Sequence, residues 1–405
     1  MSSALKEYVE AKEAELAVVS KKRSQDHDAS RRDDLRLDAD VDFARILYSS
    51  SFRRLQGKMQ LLVPGSNHFY RNRLTHSLEV AQIARSIAKR VGMVDALTVQ
   101  SCALAHDLGN PPFGHAGEIY LGECAEGHTY EGNAQTFRIL NHLEEKHYAY
   151  NGLNLTIRTL LGTVKYPFSN AQNSKKFLYD EDFAKISAWK EEFGISLRTI
   201  DCQIMDIADE IAYAAHDLED ALKMNYFTVD DILFEFQISQ FNNKYDLLKE
   251  LVDSARAFAM QAHTYKTSEE FSILLRKELT SSIVDTLIKD INLGYKEGEE
   301  EITYSSHENL ALGLKKLTFS AVKRNPDVIR YEKLGKSVIS GLYQVLTDTD
   351  FNKDQVLLPA EYRHDGNLAR TVLDYIGGMM DSYAIDQYKV YFGPNSLDSL
   401  YSGSK

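Results

Sequence analysis

Two histidines, an aspartate, a glutamate, three glycines and a Pro-Pro pair fall within fourteen residues of this 405-residue chain, in AHDLGNPPFGHAGE at 105–118. Gly, Asn and Pro serve a surface turn for conformational reasons alone. An adjacent His-Asp pair followed by a further His and Glu suits acid/base or metal chemistry instead. Seven of the twelve histidines lie between His68 and His147, and two of them, His76 and His106, fall at predicted element ends, where side chains converge. A histidine taken singly reads as a hydrogen-bonded structural residue. His76, the His106-Asp107 pair and one aspartate from an acidic helix further on would together supply two imidazoles and two carboxylates, a mixed N/O set suited to a divalent transition metal with positions left for water and substrate.

The elements that must bring these residues together read as helices. Residues 75–91 place Leu78, Ala81, Ala84, Ala88 and Val91 on one face, with Lys89 and Arg90 in the last turn and Gly92 as the stop. A second helix runs from about Asp95 to Leu108 and ends at Gly109 and Pro111-Pro112, so the opening motif is a helix end and the loop after it. A third, 199–223, carries an apolar stripe of Ile200, Ile204, Ile207, Ile211, Ala215, Leu218 and Leu222. Nearly opposite, Asp209, Tyr213 and Asp217 follow at i, i+4 and i+8, flanked by Asp206 and Asp220. Such a column is either a solvated acidic face or, since Ala208, Ala212, Ala214 and Ala215 slim the helix almost all round, a packed face whose repulsion a nearby cation relieves. His115 and Glu118, three apart after Gly114, share a face if a helix begins there.

Periodic apolar segments continue through 225–350, with the acidic GYKEGEEEITYSSHE at 294–308 expected as an exposed loop. The segment LARTVLDYIGGMMDSYAIDQYKVY is helical, Gly377-Gly378 marking either a close helix contact or a break. The fold class expected is all-α with little β: an N-terminal helical arm over 1–50, a core over 51–225 and a C-terminal helical region over 226–405 packed on it as one compact unit.

Composition excludes several functions. With 43% hydrophobic residues and no apolar run near the roughly 20 residues that a bilayer requires, no membrane span is expected. The charged N-terminus does not resemble a secretory leader, and three scattered cysteines without a CxxC pair fit a reducing, cytoplasmic setting. A net charge of −12 opposes a surface that wraps nucleic acid. Two local basic segments, SKKRSQDHDASRR and FRRLQGK, leave room for an auxiliary site; the first is otherwise a solvated arm.

The arrangement His76, His106-Asp107 and Asp209 resembles the HD superfamily of metal-dependent phosphohydrolases. The longer string, HDLGNPPFGHAGE with FRRLQGKMQL, RNRLTHSLE, YEGNAQTFRIL, LGTVKYP, ADEIAYAAHDLEDAL and DYIGGMMDSYA, is similar to bacterial deoxyguanosinetriphosphate triphosphohydrolases and related dNTP triphosphohydrolases. That resemblance implies an HD helical core and cleavage of a deoxynucleoside triphosphate, dGTP foremost, between the 5′ oxygen and the α-phosphorus. Deoxynucleoside and inorganic triphosphate would be released. It implies His76, His106, Asp107 and Asp209 as ligands of Mn, Mg or another divalent metal, and His115 with Glu118 as the acid/base pair. Gln60, Leu61 and Tyr213 would pack on the deoxyribose and exclude a 2′-hydroxyl, and Asp217 would accept from the 3′-hydroxyl. Arg73, Lys165 and Tyr166 would meet the triphosphate, and Asn110 and Asn133 would line the site, Asn110 otherwise shaping the turn. Relatives often read Ala-Asp-Asp where this chain has Ala208-Asp209-Glu210, which keeps the ligand position. The family also implies a homo-oligomer, hexamer or tetramer, and a regulatory nucleotide or single-stranded DNA as a further partner. The competing readings are an HD phosphodiesterase acting on another nucleotide and a nucleic-acid-binding regulator.

Overall fold

The computed structural model describes residues 2–25, 36–60, 71–125, 129–262, 264, 266–296, 298–363 and 366–398. Among these residues the chain is all-α apart from one hairpin. The first half contains α1 (Ser3–Leu16), α2 (Asp38–Leu47), α3 (Ser50–Arg54), α4 (Arg73–Arg90), α5 (Ala96–Ala105), α6 (Gly114–Cys124), α7 (Gly132–Arg138), α8 (Ile157–Gly162), α9 (Asp180–Phe193) and α10 (Ile200–Lys223). The second half contains α11 (Val229–Ile238), α12 (Tyr245–Ala259), α13 (Ser268–Lys289), strands β1 (Ile291–Lys296) and β2 (Glu299–Tyr304), α14 (Glu308–Lys323), α15 (Pro326–Thr347), α16 (Leu368–Gly377) and α17 (Asp381–Phe392). No helix among the described residues is long and apolar enough to cross a membrane.

Helix α10 is the axis of the fold. Thr199 caps its start by accepting from the Cys202 N–H, and α4, α5, α13 and α14 pack round it. The small side chains Ala208, Ala212, Ala214 and Ala215, all fully buried, let those neighbours approach on more than the isoleucine side. The acidic column is therefore a packed face, and the chain supplies most of the compensating charge itself. Asp201 pairs with Arg158 at 2.9 Å, Asp206 with Arg198 at 3.0 Å, Asp209 with Lys165 at 2.5 Å and Asp220 with Arg71 at 2.6 Å. Asp217 alone in this series has both oxygens buried without a hydrogen-bond partner.

Four expectations need correction. Leu78 is 47% exposed, because the buried face of α4 is centred on His76, Val80, Ile83, Ala84 and Ile87 rather than on the line through Leu78. The acidic loop is the hairpin β1–β2, with Leu293 opposite Ile302 and Ile291 opposite Tyr304. Its alternating Ile302 and Tyr304 are buried while the surrounding glutamates mask the strand signal, and Glu301 itself bonds Arg198 at 2.8 Å. Helix α5 ends at Ala105, three residues early, because a tight turn (Leu108 N to Ala105 O, 3.1 Å; Asn110 N to Asp107 O, 3.1 Å) takes over. Finally, Arg23 in the first basic segment is no solvated arm: its guanidinium is buried against Asp38 and Asp42 at 2.8 and 2.7 Å. Residues 26–32 of that segment lie outside the described residues.

Two apolar clusters organise the rest. The larger runs from Leu5 and Val9 of α1 through α4, α5 and α10 to Leu310 and Leu314 of α14. The smaller joins Phe113, Leu121 and Tyr130 to Val338, Leu342, Leu373 and Ile376. Gly377-Gly378 both ends α16 and allows a close contact: a Cβ on Gly377 would lie 2.4 Å from the Tyr130 hydroxyl.

Candidate active site

Four buried side chains from two helices and one turn meet on one face of α10. His76 stands in the first turn of α4, which Asn72 caps by accepting from the Thr75 N–H. His106 and Asp107 follow directly on α5, and Asp209 comes from the middle of α10. One ligand atom each from His76, His106 and Asp107 lies within 4.8 Å of the others, the one such group among the described residues. Asp209 Oδ1 is 3.1 Å from His76 Nε2 and 3.3 Å from His106 Nε2.

Hydrogen bonding sets the donor atoms. His106 Nδ1 lies 2.7 Å from the Ala103 carbonyl, which can only accept, so that nitrogen carries the proton and Nε2 turns a lone pair into the cluster. This Nε2 is buried with no hydrogen-bond partner. Each carboxylate spends one oxygen on a cation. Asp107 Oδ2 meets Arg73 Nη1 at 2.6 Å and Asp209 Oδ2 meets Lys165 Nζ at 2.5 Å, leaving both Oδ1 atoms toward the imidazoles. Burial alone would raise the Asp107 pKa, but the charge His106 carries when both its nitrogens are protonated in the metal-free cluster, and that of Arg73, hold it down at about 2. Burial likewise opposes ionisation of Asp209, and Lys165 followed by His106 overcomes it, keeping this carboxyl well below its usual range. An N2O2 set of ionised carboxylates and an outward lone pair fits a divalent transition metal.

The second cluster follows one turn later. Gly109 permits the turn to lie against α7, since a Cβ there would be 2.1 Å from the Gly132 carbonyl oxygen. That contact brings the Gly132 N–H to Glu118 Oε1 at 3.1 Å, while Glu118 Oε2 lies 3.1 Å from His115 Nδ1. Burial pushes the Glu118 pKa up, but the His115 hydrogen bond, the Lys176 charge and the Gly132 N–H outweigh it and bring it to about 2. The His115 ring is 64% exposed, its partner mostly buried.

The remaining expected residues divide. Arg73 and Lys165 are buried partners of the cluster carboxylates, and Asn110 donates from Nδ2 to Asp107 Oδ1 at 2.6 Å in addition to shaping the turn. The Tyr213 ring packs 5.1 Å from that of His76. Gln60 is buried with both amide atoms unpartnered, as are both Asp217 oxygens and His76 Nδ1. Burial pushes the Asp217 carboxyl up to about 6. Tyr166 is half-buried beneath Lys176, 5.7 Å from its ring centroid, and Asn133 donates to Glu131 rather than joining the cluster. Leu61 lies outside the described residues.

Sequence reasoning missed Lys176, which bridges Glu131 at 2.7 Å and Glu118 at 3.5 Å, and Lys58, the last residue of the basic FRRLQGK. Lys58 is no phosphate-binding surface group: its Nζ is buried and donates to the Asn110 and Gly377 carbonyls. Burial, then the Arg54 charge, lower its pKa to about 7 from 10.5. Between those values the unfolded chain binds more protons, so Lys58 makes stability rise with pH across this window. The unfolding free energy of wild type minus that of Lys58→Met is therefore expected to increase from pH 7 to pH 10.5 in urea titrations; a flat or falling difference contradicts the burial argument.

Comparison with known proteins identifies the family. Residues 73–214 match the HD domain model and residues 305–390 the phosphohydrolase-associated domain model. A deoxyguanosinetriphosphate triphosphohydrolase-like protein 2 of Vibrio cholerae is 51% identical over 364 residues, covering 89% of this chain and 90% of its own length. Similarly named proteins of Wolinella succinogenes and Shewanella pealeana are 34% and 33% identical, covering 88% and 91% of this chain and 96% and 95% of their own lengths. With all four clustered donors inside the HD match and similarity running over most of its length, the chain belongs to the deoxyguanosinetriphosphate triphosphohydrolase-like family of HD-domain phosphohydrolases.

Proposed function

We propose that this phosphohydrolase cleaves deoxynucleoside triphosphates, dGTP foremost, to deoxynucleoside and inorganic triphosphate. The observation that carries the reading is a set of buried polar atoms without protein partners, on His76 and His106 of the cluster and on Asp217 beside His76, with Gln60 a further buried residue of this kind. Unpartnered buried polar groups are costly unless a ligand completes them. The names of the relatives support the same substrate class.

His76, His106, Asp107 and Asp209 would hold a divalent metal, which when bound supplies charge neutralisation at a phosphate oxygen and lowers the pKa of water. Arg73 and Lys165 offset the charge of an arriving triphosphate. Tyr166, beside Lys176, flanks that end. Glu118 fixes the proton of His115 on Nδ1, so His115 Nε2 is free to exchange a proton with the departing 5′ oxygen. Gln60 and Asp217 gain partners from the sugar, Asp217 from its 3′-hydroxyl, and Tyr213 walls off the 2′ position. Tyr213→Ala is accordingly expected to raise GTP turnover relative to dGTP by about tenfold; an unchanged ratio of kcat/KM values contradicts the wall.

The experiment is product analysis with Mn²⁺ or Mg²⁺ and each dNTP in turn. Free deoxynucleoside with intact triphosphate is expected. Monophosphate with pyrophosphate as the only products rules the cleavage out, and activity confined to cyclic or signalling nucleotides reassigns the substrate.

A further inference from the structure

The motif DYIGGMMDSYA lies far in sequence from both clusters, yet the second of its two aspartates, Asp381, reaches the active-site turn. Asp381, at the start of α17, is 2% exposed and accepts three hydrogen bonds. Its Oδ1 takes the Phe113 N–H at 3.1 Å; its Oδ2 takes the Met59 N–H and the Tyr331 hydroxyl, each at 3.1 Å. Met59 immediately precedes Gln60. Phe113 caps α6, two residues before His115, and is held in the left-handed region at φ 63°, which a non-glycine residue rarely adopts without support. The support comes from the phosphohydrolase-associated segment. The Phe113 ring lies 5.3 Å from that of Tyr331 and packs against Gly335 of α15, and its N–H is held by Asp381.

The same turn is fixed at its other end. Tyr130 donates to the Gly109 carbonyl at 2.8 Å, and Lys58 ties the Asn110 carbonyl to that of Gly377. The backbone from Gly109 to Phe113, which separates the metal cluster from the acid/base pair, is thus set by side chains that touch neither cluster. We infer that Asp381 is a positioning residue for the chemical step: by holding Phe113 and Met59 it aims the His115–Glu118 pair at the reacting phosphate. This inference rests on the acid/base reading of His115.

Asp381→Asn tests it. The two N–H donors sit on separate oxygens, and asparagine retains one acceptor and presents an NH2 donor where the other stood. A loss of about 30-fold in kcat on dGTP is expected from misplacing the pair, with KM and Mn²⁺ affinity each within about threefold of wild type. His115→Ala alone should lower kcat about a thousandfold. In the double variant D381N should cost no more than about threefold further, because the group it positions is gone. Full multiplication of the two losses, unchanged kcat in D381N, or loss of Mn²⁺ affinity in step with kcat would each overturn the inference. If His115→Ala leaves turnover intact, the acid/base reading itself has failed, and that variant alone reveals it. Should D381N fail to fold, Tyr331→Phe removes one donor from the carboxylate. It should lower kcat about threefold, and have no effect in the His115→Ala background; an equal effect in both backgrounds overturns the inference.

Discussion

Asp209→Ala is expected to abolish turnover, to below about a thousandth of wild type, and to weaken Mn²⁺ binding by about a hundredfold or more. Asp209 lies against both imidazoles, through Oδ1 at 3.1 and 3.3 Å, and it reaches them from α10, the helix packed on several sides. No neighbour can replace it: Asp206 lies one turn earlier and is engaged with Arg198, and Glu210, the next residue along α10, points to a different face. The substitution also leaves the Lys165 ammonium, on a side chain 9% exposed, with Asp206 at 3.5 Å as its one remaining ion pair among the described residues. Removing one member of a buried pair strands the other, so the metal-free protein should lose on the order of 3 kcal/mol of stability. Isothermal titration with Mn²⁺ and urea unfolding of the metal-free form check both parts. Mn²⁺ affinity within threefold of wild type would remove Asp209 from the ligand set.

His115→Ala should separate chemistry from metal binding. Its ring is largely exposed and bonds Glu118, not the donors of the metal cluster, so Mn²⁺ affinity and stability should stay close to wild type. Turnover should fall by about 10²–10⁴-fold, the usual contribution of a positioned acid or base. The pH dependence is a second signature. Glu118 titrates at about 2 in the folded chain, below its ordinary value, so it stays ionised as pH falls through the range in which an enzyme assay is practical. No limb of the kcat profile in that range is therefore expected from Glu118. Equal loss of metal and turnover would assign His115 to the metal cluster instead.

How far the sequence reaches can be judged residue by residue. The His106-Asp107 pair and the i, i+3 spacing of His115 and Glu118 are local, so their grouping is legible before any fold is known. His76 and Asp209 are 133 residues apart, and their meeting is legible only through the family string. The alanines of α10 do announce close packing, and with it the burial of its carboxylates. What stays hidden is tertiary. Leu78 and Val80 are equally plausible core residues until α5 and α10 cover one side of α4. The partnership of Lys58 with Gly377 spans 319 residues, and that of Phe113 with Asp381 spans 268, distances at which no periodicity or motif spacing carries information. FRRLQGK looks like a phosphate-binding patch for the same reason: its basic character is local, and the carbonyls that absorb Lys58 are not.

The central claim is hydrolysis at the α-phosphorus with the 5′ oxygen as leaving group. Turnover of dGTP in ¹⁸O-labelled water with Mn²⁺ tests it directly, the products being separated and weighed by mass spectrometry. One ¹⁸O in the inorganic triphosphate and none in the deoxyguanosine is the predicted result. Label in the deoxyguanosine, or in dGMP or pyrophosphate formed in its place, would contradict the account.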